Sequence, residues 1–224
     1  MKRYLAVVLT FVMLAFGLTG CMEEETVPKE THLQVLDPLK GNTLEKVYDI
    51  EGMNFVTTYD TGEYDLDRWR ITDSKVINMN CYVTNIPEGA EVLIEHVHID
   101  MSLKSTNPQL DGLTQDSMDD SYHGTSQDGF LANQVYPYQN KFAVEGFSKD
   151  LIDGWIFVCG DYGAGSISQE RLTEKNLVHS GKVYANKMQV VYDVLIKYEN
   201  EKRFHVVSVL DEFLIPVKVE NETE

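Results

Sequence analysis

The feature that most constrains the fold is an alternation of apolar and polar residues with a period of two. In the second half of the segment Glu91–Leu103 the odd positions are apolar, while the even positions include His96, His98 and Asp100. Successive side chains of a β-strand point to opposite faces, so this pattern predicts a strand with one buried face. The segment Met188–Tyr198 has apolar or aromatic residues at the same spacing and predicts a second such strand.

Turn sequences next to these segments predict two β-hairpins. One turn contains a proline and a glycine, at Asn85–Gly89, and the other is the polar segment Glu199–Lys202. Pro216 indicates the end or the edge of the last strand. The hairpins are predicted to pair Lys75–Thr84 with Glu91–Leu103, and Met188–Tyr198 with Phe204–Ile215.

Shorter apolar segments predict further strands at Val47–Ile50, Asn54–Tyr59, Trp69–Thr72, Lys141–Phe147 and Trp155–Cys159. A single short helix is predicted at Ser168–Asn176. Many strands with almost no helix are typical of an all-β antiparallel sandwich, and we expect an immunoglobulin-like one. One domain should span residues 42–219, followed by a polar tail at residues 220–224.

The charge of the chain excludes one class of partner. There are 36 acidic residues against 19 lysines and arginines, which gives a formal net charge of −17. An acidic surface repels phosphate groups, so we expect no nucleic acid partner. No cofactor is expected either.

The start of the chain is typical of an export signal. Two basic residues precede the apolar run Tyr4–Leu18, which at about 15 residues is shorter than the roughly 20 that a membrane-spanning helix needs. The run ends in the motif Leu18-Thr19-Gly20-Cys21. This motif resembles the lipobox of bacterial lipoproteins. The resemblance implies cleavage after Gly20 and a diacylglycerol on the sulfur of Cys21.

The same resemblance implies a location. Residues 1–20 would be the signal peptide, and the mature chain would be held by its lipid on the extracytoplasmic face of the cell membrane. Residues 21–41 begin with a charged segment without periodicity, and we expect a flexible tether there.

Two cysteines remain after the lipobox. Outside the cytoplasm Cys81 and Cys159 could form a disulfide. Both lie in apolar segments, so two buried free thiols are the alternative.

The polar face of the segment Glu91–Leu103 is a candidate metal site. His96, His98 and Asp100 would stand in a row and could offer two or three ligands to zinc or copper. Alternate residues of a strand are about 7 Å apart, however, and a third ligand in such a row cannot bend back to the same ion. We therefore expect a solvated polar face rather than a high-affinity metal site.

A long acidic and glycine-containing segment, Ser105–Asn133, is predicted to be a loop. Loops of this length are commonly functional. Its candidate binding residues are Asp119, Asp120, Tyr122 and His123. An aromatic group formed by Phe130, Tyr136 and Tyr138 also suits contact with a protein or a glycan.

The sequence lacks the usual motifs of catalysis. It has no Gly-x-Ser-x-Gly, and the glycine-rich segment Gly160–Ser166 has a serine where a phosphate-binding loop needs lysine. We therefore predict a lipid-anchored, non-catalytic binding module whose partner is an envelope or extracellular protein or a glycan. The alternatives are a metal-binding lipoprotein that uses His96, His98 and Asp100, and an unrecognised cell-envelope enzyme.

The lipobox generates a direct prediction. Changing Cys21→Ser removes the sulfur that would carry the lipid, so the variant should lose labelling by radioactive palmitate and remain uncleaved. Labelling of the wild-type chain is the positive control. Undiminished labelling of the variant would show that Cys21 is not the lipid-bearing residue.

Overall fold

Segments with alternating residues form two β-sheets that stack face to face. The computed structural model describes residues 34–35, 42–64, 66–121, 130–159 and 172–217. The larger sheet has six strands and the smaller sheet has four. All neighbouring strands are antiparallel except one two-residue strand, so the prediction of an all-β antiparallel sandwich is confirmed.

The strands are β1 (Gln34–Val35), β2 (Thr43–Ile50), β3 (Met53–Asp60), β4 (Lys75–Thr84), β5 (Glu91–Ser105), β6 (Thr114–Ser121), β7 (Phe130–Leu131), β8 (Tyr138–Val144), β9 (Val183–Lys197) and β10 (His205–Pro216). The larger sheet has the order β1-β10-β9-β5-β6, with β7 also paired to β5, and the smaller sheet has the order β2-β3-β4-β8. An immunoglobulin domain orders its first sheet A-B-E-D. Here three consecutive strands are neighbours, so the immunoglobulin-like arrangement is not confirmed.

Helices are a minor component of the part of the chain that the structure describes. The structure has a 3₁₀ turn at Leu66–Arg68, helix α1 at Lys149–Cys159 and helix α2 at Glu174–His179. The Oγ atom of Ser148 accepts a hydrogen bond from the backbone of α1, and Thr173 caps α2 in the same way. Within the described residues, none of the helices combines the length and apolar character that crossing a membrane requires.

The core lies between the sheets. Its aromatic side chains include Phe55 and Tyr192, whose rings meet edge to face with their centroids 5.1 Å apart. A smaller cluster at one end of the sandwich contains Leu110, Leu151 and Trp155, and it packs the two helices against the strands.

A β-bulge at Glu95 keeps both halves of β5 in this core. Even-numbered positions are buried before Glu95 and odd-numbered positions after it. Ile94 lies opposite Val194 on β9, and the preceding residue of β9, Asp193, lies opposite His96. Glu95 is therefore an extra residue that shifts the alternation by one.

The two predicted hairpins have different outcomes. The hairpin in the C-terminal part is confirmed, because β9 and β10 are adjacent and antiparallel. The hairpin of Lys75–Thr84 with Glu91–Leu103 is wrong, because β4 belongs to the smaller sheet and β5 to the larger one. A turn sequence reverses the chain, but it does not determine which of two sheets the next strand joins.

Three of the shorter predicted strands are present. Val47–Ile50 lies within β2, Asn54–Tyr59 lies within β3, and Lys141–Phe147 overlaps β8. The predicted helix at Ser168–Asn176 overlaps the start of α2, although residues 160–171 lie outside the described residues.

Two predicted strands are wrong. Trp155–Cys159 lies in α1, where Leu151 and Trp155, four residues apart, face the smaller apolar cluster. The fold thus has a second α-helix that was not predicted. Trp69–Thr72 forms no strand, because the N–H groups of Ile71 and Thr72 donate to the carboxylate of Glu174 at 2.8 and 2.9 Å.

The cysteines and the ends of the chain are described only in part. Cys81 is a free thiol in the core, and burial raises its pKa. The side chain of Cys159 lies outside the described residues.

Within the predicted tether, Gln34 and Val35 pair with β10. The signal peptide, Cys21 and the polar tail lie outside the described residues.

A buried polar network joins the two sheets. Nζ of Lys46, on β2, lies 2.6 Å from Oδ1 of Asp211, on β10, and both side chains are almost fully buried. The other carboxylate oxygen of Asp211 accepts hydrogen bonds from Thr57 at 3.0 Å and Tyr59 at 2.8 Å. Tyr59 is also 2.9 Å from the hydroxyl of Tyr192. One carboxylate of the larger sheet thus receives three donors from the smaller sheet.

This network predicts that a nearly isosteric change at Asp211 strongly lowers the free energy of unfolding. Asp211→Asn leaves the buried ammonium of Lys46 without a counter-charge, and breaking a buried pair in this way costs about 3–5 kcal/mol. Urea unfolding of the mature chain should show that loss. The control is Glu212→Gln, which removes a partly exposed pair with Lys187 and should cost less than about 1 kcal/mol. Equal losses would contradict the proposed role of Asp211.

Candidate functional site: the outer face of the larger sheet

The bulge in β5 places the predicted histidines on the outer face of the larger sheet. His96, His98 and Asp100 are partly exposed, whereas Val97 and Ile99 between them are fully buried. This is the arrangement that strand alternation predicts. On the outer face, two rows of side chains run across neighbouring strands. Successive members of each row lie opposite each other on adjacent strands.

The first is the polar row, formed by Ser208, Asp193, His96 and Ser121 on β10, β9, β5 and β6. The second is the apolar row, formed by Val206, Leu195, Leu93 and Leu131 on β10, β9, β5 and β7. The two rows lie side by side, because their members are two positions apart on β9 and β10.

His96 is held between two carboxylates. Its Nδ1 atom lies 3.2 Å from Oδ2 of Asp193, and its Nε2 atom lies 3.0 Å from Oδ1 of Asp119. Burial of the ring acts to lower the pKa of His96, but the hydrogen bonds with Asp119 and Asp193 outweigh it and raise the pKa above its ordinary value of 6.5.

Asp119 is shared by both histidines. Oδ1 of Asp119 lies 2.8 Å from Nδ1 of His98 as well as 3.0 Å from His96. Hydrogen bonds from His98 and His96 lower the pKa of the Asp119 carboxyl. The acid that meets the histidines is therefore Asp119 of β6, directly opposite His98. Asp100 lies further along, opposite Ser117 and Gln189.

Hydrogen bonds join the side chains of this cluster. Among the described residues, no group of three or more His, Cys, Asp or Glu side chains is arranged to hold a metal ion. The ring centroids of His96 and His98 are 6.4 Å apart, and the carboxylate of Asp119 is hydrogen-bonded to both rings.

The polar row also differs from a catalytic triad. The Oγ atom of Ser208 donates to Oδ1 of Asp193 at 2.6 Å, and His96 contacts the other oxygen of the same carboxylate. In a triad the histidine stands between the serine and the acid, so that it can take the hydroxyl proton. Here the acid stands between them.

A separate small cavity is lined by Tyr59 and Phe213. Its volume of about 10 Å³ is space for one water molecule.

The segment Ser105–Asn133 is not a single loop, because β6 occupies its centre. Strand alternation separates the two predicted acids: Asp119 faces outward, while Asp120 faces the smaller sheet. Oδ2 of Asp120 accepts hydrogen bonds from the Tyr138 hydroxyl at 2.6 Å and from Nδ2 of Asn140 at 2.7 Å. Asp120 therefore ties the two sheets together. Tyr122, His123 and Gly160–Ser166 lie outside the described residues.

The predicted aromatic group is divided. Tyr138 is buried, whereas Tyr136 is 64 % exposed beside Val135, which is 76 % exposed. The side chain of Phe130 lies outside the described residues. Leu131, the adjacent member of the apolar row, is 50 % exposed. Leu131 lies opposite Leu93, so the apolar row ends at the β7 edge of the larger sheet.

Sequence reasoning missed Asp193, Ser208 and the apolar row. The sequence did contain a signal for the bulge, because the apolar residues of β5 change from even to odd positions at Glu95. Their partners on other strands depend on the register, and the sequence does not give that.

Comparisons with known proteins add no family. No protein-family model and no curated protein matches the chain. Among solved structures, a protein from Archaeoglobus fulgidus is similar over 78 % of this chain and 100 % of its own, at 10 % identity and a TM-score of 0.37. Northeast Structural Genomics Consortium target SoR45 is similar over 78 % of this chain and 96 % of its own, at 9 % identity and a TM-score of 0.33.

Proposed function

We propose that this chain is a lipid-anchored, extracytoplasmic lipoprotein whose sandwich domain is a non-catalytic binding module. The observation that carries the proposal is the apolar row on the outer face of the larger sheet. Val206 is 38 % exposed and Leu131 50 % exposed, and they lie at the two ends of the row. Between them Leu93 is partly exposed and Leu195 is buried at 7 % exposure. Exposed apolar residues with a polar border are typical of interaction sites.

The surroundings of this row favour a protein as the partner over a glycan. Protein interfaces have an apolar centre, often with aromatic residues, and a polar rim. The apolar row matches such a centre, and the neighbouring polar row with His96 and Asp193 matches such a rim. A partner on the cell envelope is consistent with the lipobox.

The anchor is supported by the sequence motif at Cys21 and by the charge of the chain. A net charge of −17 opposes direct contact with anionic lipid headgroups. A lipid would therefore keep the domain at the membrane while its acidic surface keeps the domain away from the headgroups. The outer face of the larger sheet would then be available to a partner.

A matched pair of variants tests the binding surface. The chain would be cross-linked in its native membrane, as wild type and as the double variant Leu131→Asp with Val206→Asp. We expect the double variant to lose its cross-linked protein partner, because two charges would be buried in the interface. The control is Val47→Asp, which changes a 57 % exposed valine on the smaller sheet and should keep the partner. Loss in both variants, or in neither, would contradict this surface. If glycosidase treatment removed the cross-linked partner, the ligand would be a glycan, and that would contradict the choice of a protein.

A further inference from the structure

The two ring nitrogens of His96 both face carboxylates. A neutral imidazole has one N–H donor, whereas an ionised carboxylate only accepts hydrogen bonds. A neutral His96 can therefore satisfy Asp193 or Asp119 but not both. Only the imidazolium, with a proton on each nitrogen, makes both contacts that the structure contains, at 3.2 and 3.0 Å.

We propose that His96 is a proton-dependent clasp, which links edge strand β6 to β9 across β5 when its ring is charged. Loss of one proton from the ring breaks one of the two links, since the ring nitrogen that becomes unprotonated then faces a carboxylate with a lone pair. The proposal goes beyond the binding role, because it concerns control of the outer face rather than the partner.

The position of the clasp gives the proton its effect. Asp119 lies on β6, the edge strand of the larger sheet, and Asp193 lies on β9 at its centre. Ser208 of β10 holds the second oxygen of Asp193 at 2.6 Å. The chain of contacts therefore crosses all four strands from β10 to β6, and the ring of His96 joins its two carboxylates.

The other polar groups at the cluster determine what remains when the clasp opens. His98 of β5 still lies 2.8 Å from Asp119, and Ser208 still donates to Asp193. Glu95 and Asp100 are the remaining charged residues of this part of β5. Each carboxylate keeps at least one hydrogen bond, and β5 stays paired with β6 and with β9 through the backbone. Deprotonation of His96 should therefore break the side-chain link between β6 and β9 without unfolding the sheet.

The direction of the pH effect follows from the raised pKa of His96. A group whose pKa is higher in the folded chain stabilises the fold fully below its unfolded value, which is 6.5. That stabilisation is lost as the pH rises through the folded value. The outer face should therefore be more firmly held in mildly acidic surroundings than in alkaline ones.

Nuclear magnetic resonance of the mature chain tests the clasp directly. We expect the ring signals of His96 to titrate with a midpoint above 6.5, and both ring nitrogens to show protonated shifts below that midpoint. Asp193→Asn removes one of the two charged acceptors and should lower the midpoint. The control is Asp100→Asn, which removes an equal charge four residues further along β5 and should leave the midpoint unchanged.

A stability measurement separates the clasp from a local electrostatic effect. The thermal midpoint of Asp193→Asn should lie about 2–4 °C below that of wild type at about pH 5.5, and the difference should vanish at about pH 9. A wild-type His96 midpoint at or below 6.5 would overturn the proposal. So would equal shifts in both variants, or a thermal difference that does not depend on pH.

Discussion

The sandwich depends on the buried carboxylate of Asp211. An ionised group without water is costly unless it is paired and fully hydrogen-bonded, and Asp211 meets this requirement only with donors from the other sheet. Lys46 and Tyr59 reach it from β2 and β3. The network therefore fixes the lateral position of one sheet on the other, which apolar packing alone would specify less strictly. Burial also raises the pKa of Tyr59, so its hydroxyl stays a donor throughout the physiological range.

The outer face depends on the bulge at Glu95. Without the extra residue, an unbroken alternation that buries Val92 and Ile94 would also bury His96 and His98. The bulge turns the histidines outward and brings them to the register at which Asp193 and Asp119 lie beside them. The bulge thus has two consequences: both halves of β5 bury apolar residues in the core, and the polar cluster forms on the outer face.

The sequence predicted what depends on local alternation. The strands β4, β5, β9 and β10 and the shared face of the histidines follow from a period of two. The contacts between strands did not follow, because they depend on register and on which sheet a strand joins. This is why β4 and β5 were paired wrongly, and why Asp119 was assigned to a binding loop while Asp100 was placed beside the histidines. Helix α1 was missed because its short apolar end, Trp155–Cys159, has no clear period of its own.

A double-mutant cycle of Lys46→Met and Asp211→Asn tests most directly whether one carboxylate joins the sheets. Residues in one buried network have coupling energies of about 0.5–3 kcal/mol, whereas independent sites are additive within about 0.5 kcal/mol. We expect the double variant to be more stable than the sum of the single losses by at least about 1 kcal/mol, because the second change removes the unpaired charge that the first one leaves. Additive losses would contradict the view that Lys46 and Asp211 act as one inter-sheet contact.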